Sequence, residues 1–332
     1  MFTVQVCVYF LASLVMLAWF MVNFFPIGRR EIVELQAGKT GGKTIVLLAG
    51  YALPIESWGW FVKNCLRPQD RVLGFRRRYQ ENHAWWLWPI GWAPIRWQKR
   101  EVATMMARLL EQDRKNQKTE VEYLVIGHSF GCTMAFHLVR KFANRIAKCV
   151  AIAPPPTARR GFLFNSSFWT AHGFNAVLPS LAGVIRFWNG YEIGPKAFLN
   201  LFSSGDLTEQ EVEKLVATQV KESPIVFYSH LLFERGLSLR IAAHKGWKGK
   251  ISYVICEEDK IFKAEYIRKD SYSRPSGELF TLTRAPHCFW LMPTHQYELQ
   301  NNAKILRHAV YGHDFVTDDE KSTVIQVDFR KK

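Results

Sequence analysis

A serine, an aspartate and a histidine, each set just past an apolar run, are the residues of this chain whose types and order point to nucleophilic chemistry. Ser129 lies in Gly127-His128-Ser129-Phe130-Gly131, directly after the apolar stretch 121–126. A G-x-S-x-G of this kind turns a buried strand sharply into a helix. It holds the serine on strained backbone with its hydroxyl exposed, and the glycines let strand and helix pass without Cβ clashes. Such a serine needs a histidine base, and the histidine needs a carboxylate to fix its tautomer and stabilise the imidazolium. Asp259, in Cys256-Glu257-Glu258-Asp259-Lys260, and His287, in Arg284-Ala285-Pro286-His287-Cys288, supply these types in that order. Glu257 and Glu258 are rival acids, although an acidic run at a strand end is ordinarily solvated surface. His295 is a rival base set deeper in the following helix, and His128 is read as shaping the turn. No His, Cys or Asp spacing resembles a metal-ligand set, so no metal is expected.

The elements that must position these residues are visible as short apolar runs: 31–35, 44–50, 72–75, 121–126, 149–153, 251–256 and 279–283. Most are continuously apolar, as strands covered on both faces of a parallel sheet are. Helical patterns lie between them: 101–112 with Val102, Met105, Met106, Leu109 and Leu110 on one side, and 133–142 with Met134, Ala135, Leu138, Val139 and Phe142 on one face. Alternating strands and helices predict a doubly wound α/β architecture. Its three candidate residues then sit in loops beyond the C-terminal ends of parallel strands, where open α/β sheets place their sites. Residues 155–246 break the alternation and hold a capping box at Thr208-Glu209-Gln210-Glu211, so they are read as a mostly helical insertion over the sheet. The stretch Ala37-Gly38-Lys39-Thr40-Gly41-Gly42-Lys43-Thr44 matches a loose phosphate-loop pattern but leads into a strand instead of a helix. A glycine-rich hairpin turn is the better reading. The organisation expected is therefore a segment 1–25, a core over 31–154 and 247–311, the insertion 155–246, and a charged tail 312–332 in which 323–327 offer a small edge strand.

The chain of 332 residues is 48% hydrophobic and 14% aromatic, which excludes a disordered or fibrous protein. Its six cysteines lack regular spacing and several fall inside expected strands or helices, which suggests a reducing compartment without a disulfide framework. The formal charge of +15 calls for an anionic partner. No nucleic-acid motif is present and none is expected as a ligand. An anionic membrane surface is favoured by Phe2 to Phe25, which carry no charged side chain and are long enough to span a bilayer as one helix. A cleaved signal would want a basic start, a shorter apolar core and a small-residue cleavage site. Arg29, Arg30, Lys39 and Lys43 follow the span and no Lys or Arg precedes it, so the body is expected on the cytoplasmic side. Arg76-Arg77-Arg78, then Trp85, Trp86, Trp88, Trp92, Arg96 and Trp97, form a basic, tryptophan-rich segment. It reads equally as a lipid-docking surface and as rings packed beneath the insertion.

Taken together, the elbow at Ser129, the acid and histidine loops and their order resemble the α/β-hydrolase superfamily, over roughly 31–311. The resemblance implies that fold: a mostly parallel central sheet with helices on both faces and a helical lid in place of 155–246, here preceded by one transmembrane helix. It further implies that Ser129 is the nucleophile, Asp259 the acid and His287 the base. The backbone N–H groups of Tyr51 and Phe130 would bind the oxyanion. Many relatives carry His-Gly where this chain has Ala49-Gly50, but the Tyr51 donor survives that change. The implied activity is a serine hydrolase acting without a cofactor on an acyl ester through an acyl-enzyme, with a small-molecule or lipid substrate such as a monoacylglycerol or lysophospholipid. A thioesterase or acyltransferase with the same three residues, and a non-catalytic membrane adaptor on the same fold, stay open at this point.

Overall fold

The computed structural model describes residues 31–51, 53–77, 95–116, 121–155, 250–262, 264–269, 277–291 and 296–312, with a few isolated positions elsewhere. The expected anchor over 1–25, most of the tryptophan-rich segment, the body of the insertion, His295 and the tail from 313 lie outside the described residues. Among the described residues no helix is long and apolar enough to cross a membrane.

Among the described residues, seven strands form one sheet in the order β1-β3-β2-β4-β5-β6-β7. They are β1 (Glu31–Gln36), β2 (Thr44–Leu48), β3 (Arg71–Arg76), β4 (Tyr123–His128), β5 (Ile146–Ile152), β6 (Ile251–Cys256) and β7 (Gly277–Leu282). Only β1 runs antiparallel, against β3, and every other pairing is parallel. Alternation along each buried strand sends side chains to two separate cores. Ile45 and Leu47 of β2 join Leu124 and Ile126 of β4 on one face, while Val46, Leu48 and Val125 lie on the other. The first face is covered by α1 (Gly59–Cys65) and α5 (Gln296–Tyr311). The second is covered by α2 (Ile95–Lys115), α3 (Phe130–Lys141) and α4 (Ala264–Lys269). This is the doubly wound, mostly parallel α/β sheet expected from the alternation of apolar runs and helical patterns. Each fully buried Ile, Leu or Val contributes about 1.5–3 kcal/mol. All six residues of β4, the strand that carries the elbow, are buried, as are all six of β6.

Two expectations need correcting. The glycine-rich turn at 37–44 is a turn, with Gly42 N–H donating to Lys39 O at 3.1 Å, but it closes no hairpin. Strand β3 lies between β1 and β2, so the connection crosses over it. The turn packs instead on the loop before β3, where Lys39 N–H reaches Gln69 O at 2.8 Å and Lys43 N–H reaches Asp70 Oδ1 at 2.8 Å. The second correction concerns α2, which begins at Ile95 and not at 101, and so takes in Trp97, a buried residue of the tryptophan-rich segment.

Candidate active site

The elbow forms because backbone must pass backbone there. A Cβ on Gly131 would stand 2.1 Å from Leu48 O, and one on Gly127 would stand 2.6 Å from Gly131 O. Only glycine permits α3 to start so close to β2 and β4. Between them Ser129 is held at φ 50°, ψ −123°, in a region a side-chain-bearing residue rarely adopts. Its N–H is tied to Ile152 O at 2.8 Å, and its hydroxyl does not cap α3. The strain is therefore locked by the neighbouring strand β5, and the side chain is left for another use.

Asp259 lies in the loop after β6 and His287 in the loop after β7. The structure brings them together at 2.7 Å, His287 Nδ1 to Asp259 Oδ2, with both side chains almost completely buried. Two further donors hold the carboxylate: Ile261 N–H at 2.7 Å and Phe262 N–H at 2.8 Å, both to Oδ1. A carboxylate only accepts, so Nδ1 carries the proton and Nε2 is left with a lone pair. The two loops are tied by Glu257 N–H to Leu282 O at 3.1 Å and Glu258 N–H to Ala285 O at 3.0 Å. The side chains of Glu257 and Glu258 are exposed, and Glu257 accepts from Arg284 N–H, so neither lies against the histidine.

His128 joins the elbow to the histidine loop. Its Nε2 pairs with the backbone carbonyl of His287 at 2.8 Å, and a carbonyl can only accept, so Nε2 is the protonated nitrogen. Nδ1 has no hydrogen-bond partner among the described residues and lies over Gly50. The ring is fully buried between Trp290 (4.5 Å between centroids) and His287 (4.7 Å), with Trp58 at 6.4 Å. Burial first, and the charge of a protonated His287 second, push its pKa well below 6.5 and keep it neutral. It therefore ties the elbow to the loop that carries His287.

Tyr51 follows β2 and Phe130 opens α3, on either side of Ser129. Their rings meet edge to face at 6.4 Å. A residue at the first position of a helix has no acceptor for its N–H within that helix, so Phe130 N–H can serve an external oxygen. Gly50 makes the approach possible, because a Cβ there would lie 3.2 Å from Ser129 Cβ. His128, His287 and Cys288 place one ligand atom each within 4.8 Å of one another, the one metal-like cluster among the described residues. One nitrogen of each imidazole, His128 Nε2 and His287 Nδ1, is held by the contacts above, and burial pushes the Cys288 thiol up, away from the thiolate a metal requires. The cluster reflects the packing around His287.

Two participants went unread in the sequence. Arg77, part of the basic, tryptophan-rich segment, is 2% exposed, and Gln98 on α2 is fully buried beside it. The neighbouring Arg76 is held by Glu31 at 2.6 Å and by Glu56, so it is ion-paired within the fold. Only the position of an arginine immediately after a buried strand could have hinted at this.

The profile of the Alpha/beta hydrolase family matches residues 45–298. No curated protein matches the sequence. Among solved structures, the fold is similar to that of a hydrolase from Oleispira antarctica, at 14% identity over 83% of this chain and 95% of that one, TM-score 0.55. It is similar also to an esterase from Exiguobacterium antarcticum, at 12% identity over 84% and 96%, TM-score 0.55. A monoacylglycerol lipase from Paleococcus ferrophilus matches at 12% identity over 85% and 99%, TM-score 0.52. At such identities the likeness is one of fold.

Proposed function

Because the chain belongs to the Alpha/beta hydrolase family, we propose that it is a serine hydrolase that cleaves acyl esters through Ser129, His287 and Asp259. The observation that carries this reading is the buried 2.7 Å contact between His287 Nδ1 and Asp259 Oδ2, in a loop tied through His128 to the elbow that holds Ser129 on strained backbone. In the reaction, His287 Nε2 takes the Ser129 hydroxyl proton as Oγ attacks the ester carbonyl. The negative oxygen of the tetrahedral intermediate is held by the N–H groups of Tyr51 and Phe130. The intermediate collapses when the imidazolium returns that proton to the departing alkoxide, leaving an acyl-serine. Water then attacks the acyl group, with the same nitrogen taking and returning a proton, and the free acid leaves.

The substrate class proposed is a lipid ester such as a monoacylglycerol or lysophospholipid, acted on at a membrane. This part is supported by the uncharged stretch Phe2 to Phe25, by the flanking Arg29 and Arg30, and by the formal charge of +15. The segment 1–25 would anchor the chain with its body towards the cytoplasm. The chain should accordingly pellet with membranes and resist carbonate extraction. Release by carbonate would overturn the anchor and leave the hydrolase untouched.

The test of the chemistry is labelling by a fluorophosphonate together with hydrolysis of p-nitrophenyl butyrate. Both are expected in the parent and absent from Ser129→Ala, whose melting temperature should stay near the parent's. Labelling or turnover retained in the variant would refute the assignment.

A further inference from the structure

Resting on that reading, we propose that Arg77 is a positioning residue of the oxyanion site, which holds and polarises the Gly50–Tyr51 peptide. Arg77 follows the last residue of β3 and turns into the interior. Its Nη2 donates to Gly50 O at 3.4 Å and its Nη1 to Gln98 Oε1 at 2.6 Å. Its guanidinium carbon stands 5.2 Å from the centroid of the Phe130 ring. One buried cation thus touches the flanks of both proposed oxyanion donors.

The geometry of the peptide group makes the contact chemically directed. In a trans peptide, C=O and N–H point in opposite directions from one rigid plane. A cation drawing on Gly50 O therefore fixes the rotation of the plane that carries Tyr51 N–H. It also shifts electron density towards the oxygen, which makes that N–H a stronger donor, as chains of hydrogen bonds do in low dielectric. On the other side, the Phe130 ring lies within cation–π range, which steadies the first turn of α3 next to Ser129. Gln98, from the first turns of α2, orients the guanidinium by accepting on its second arm. Arginine suits this task because its planar fork can address two acceptors at once, whereas a lysine presents a point charge. The guanidinium touches no reacting atom and acts only through the peptide.

The test uses the full chain, p-nitrophenyl butyrate as substrate and a trifluoromethyl ketone, whose adduct with a serine carries the oxyanion. Arg77→Met, which keeps the length and removes the charge, should lower kcat by about tenfold to a hundredfold. KM should stay within about twofold, because the lost interaction belongs to the transition state. Affinity for the trifluoromethyl ketone should fall by the same factor as kcat/KM, and Arg77→Lys should recover part of both. Space-filling alone would move neither ratio once activity is referred to the folded fraction. An Arg77→Met protein with the parent's kcat and ketone affinity overturns the proposal. If that variant does not fold, Gln98→Met decides: a smaller loss of kcat and ketone affinity in the same direction supports the role, and unchanged values overturn it. A parent that neither takes the fluorophosphonate nor turns over substrate would sink the hydrolase reading and this inference with it. A labelled parent beside an indifferent Arg77→Met sinks the inference alone.

Discussion

Gly50→Ala tests whether the loop after β2 and the serine elbow work as one piece. A Cβ built at Gly50 lies 2.9 Å from His128 Nδ1 and 3.2 Å from Ser129 Cβ. Carbon atoms are comfortable at about 3.5–4.0 Å, so the overlap to be relieved is about 0.5 Å. His128 cannot retreat, because it is fully buried, bound to His287 O and packed against Trp290. Ser129 cannot retreat either, because its N–H is tied to Ile152 O. The loop therefore moves, and Tyr51 N–H moves with it. Since a misplacement of about 1 Å can cost a hundredfold, kcat on p-nitrophenyl butyrate should fall about tenfold or more. Overpacking of this kind costs about 1–3 kcal/mol, so the protein should remain folded with a lowered melting temperature. Gly59→Ala is the control, because a Cβ there meets nothing within 4 Å and its φ of −53° and ψ of −45° are helical. It should keep full activity and gain about 0.4–1 kcal/mol. A folded Gly50→Ala with the parent's kcat would refute the argument that the loop and elbow are rigidly coupled.

Asp259→Asn can keep its Oδ1 bonds to Ile261 and Phe262 N–H, which turns an NH2 towards His287 Nδ1. That forces the proton to Nε2, so kcat should fall by about 10⁴-fold with the fold intact. Glu257→Gln should change turnover little, and the reverse pattern would move the acid to Glu257. A third outcome concerns pH. Burial first, then Lys99, Lys141 and Arg140, lower the pKa of His137 to about 4. The folded state thus binds this proton later than the unfolded state, whose value is 6.5, and His137 adds stability that is present above pH 6.5 and lost as pH falls towards 4. Denaturant midpoints measured across that window should show a shallower acid slope in His137→Gln, by about 0.5–1 kcal/mol per pH unit after allowance for solvent screening. An unchanged slope would contradict the cationic surroundings of this ring.

The central strands β2, β4 and β6 were legible because burial on both faces leaves few polar residues in them, and the elbow was legible because its glycines stand in one short motif, although the contact that demands Gly131 comes from Leu48, far earlier in the chain. The candidate acid was less so. Glu257, Glu258 and Asp259 are chemically alike, and what separates them is a loop that aims two N–H groups and a histidine at the third. Pairing order was illegible for the same reason: β1 and β2 adjoin in sequence, yet β3 enters between them. The arginine run shows the limit most clearly. Arg76 and Arg77 are neighbours of one type, but Arg76 meets Glu31 from β1 and Glu56, while Arg77 meets Gly50, 27 residues before it, and Gln98, 21 residues after it. Partners at that separation set where a charge goes, and they change what it means. A formal charge summed along the chain counts Arg77 as part of a field that attracts anions from solution, whereas in the fold it is buried against Gly50 O, Gln98 and the Phe130 ring.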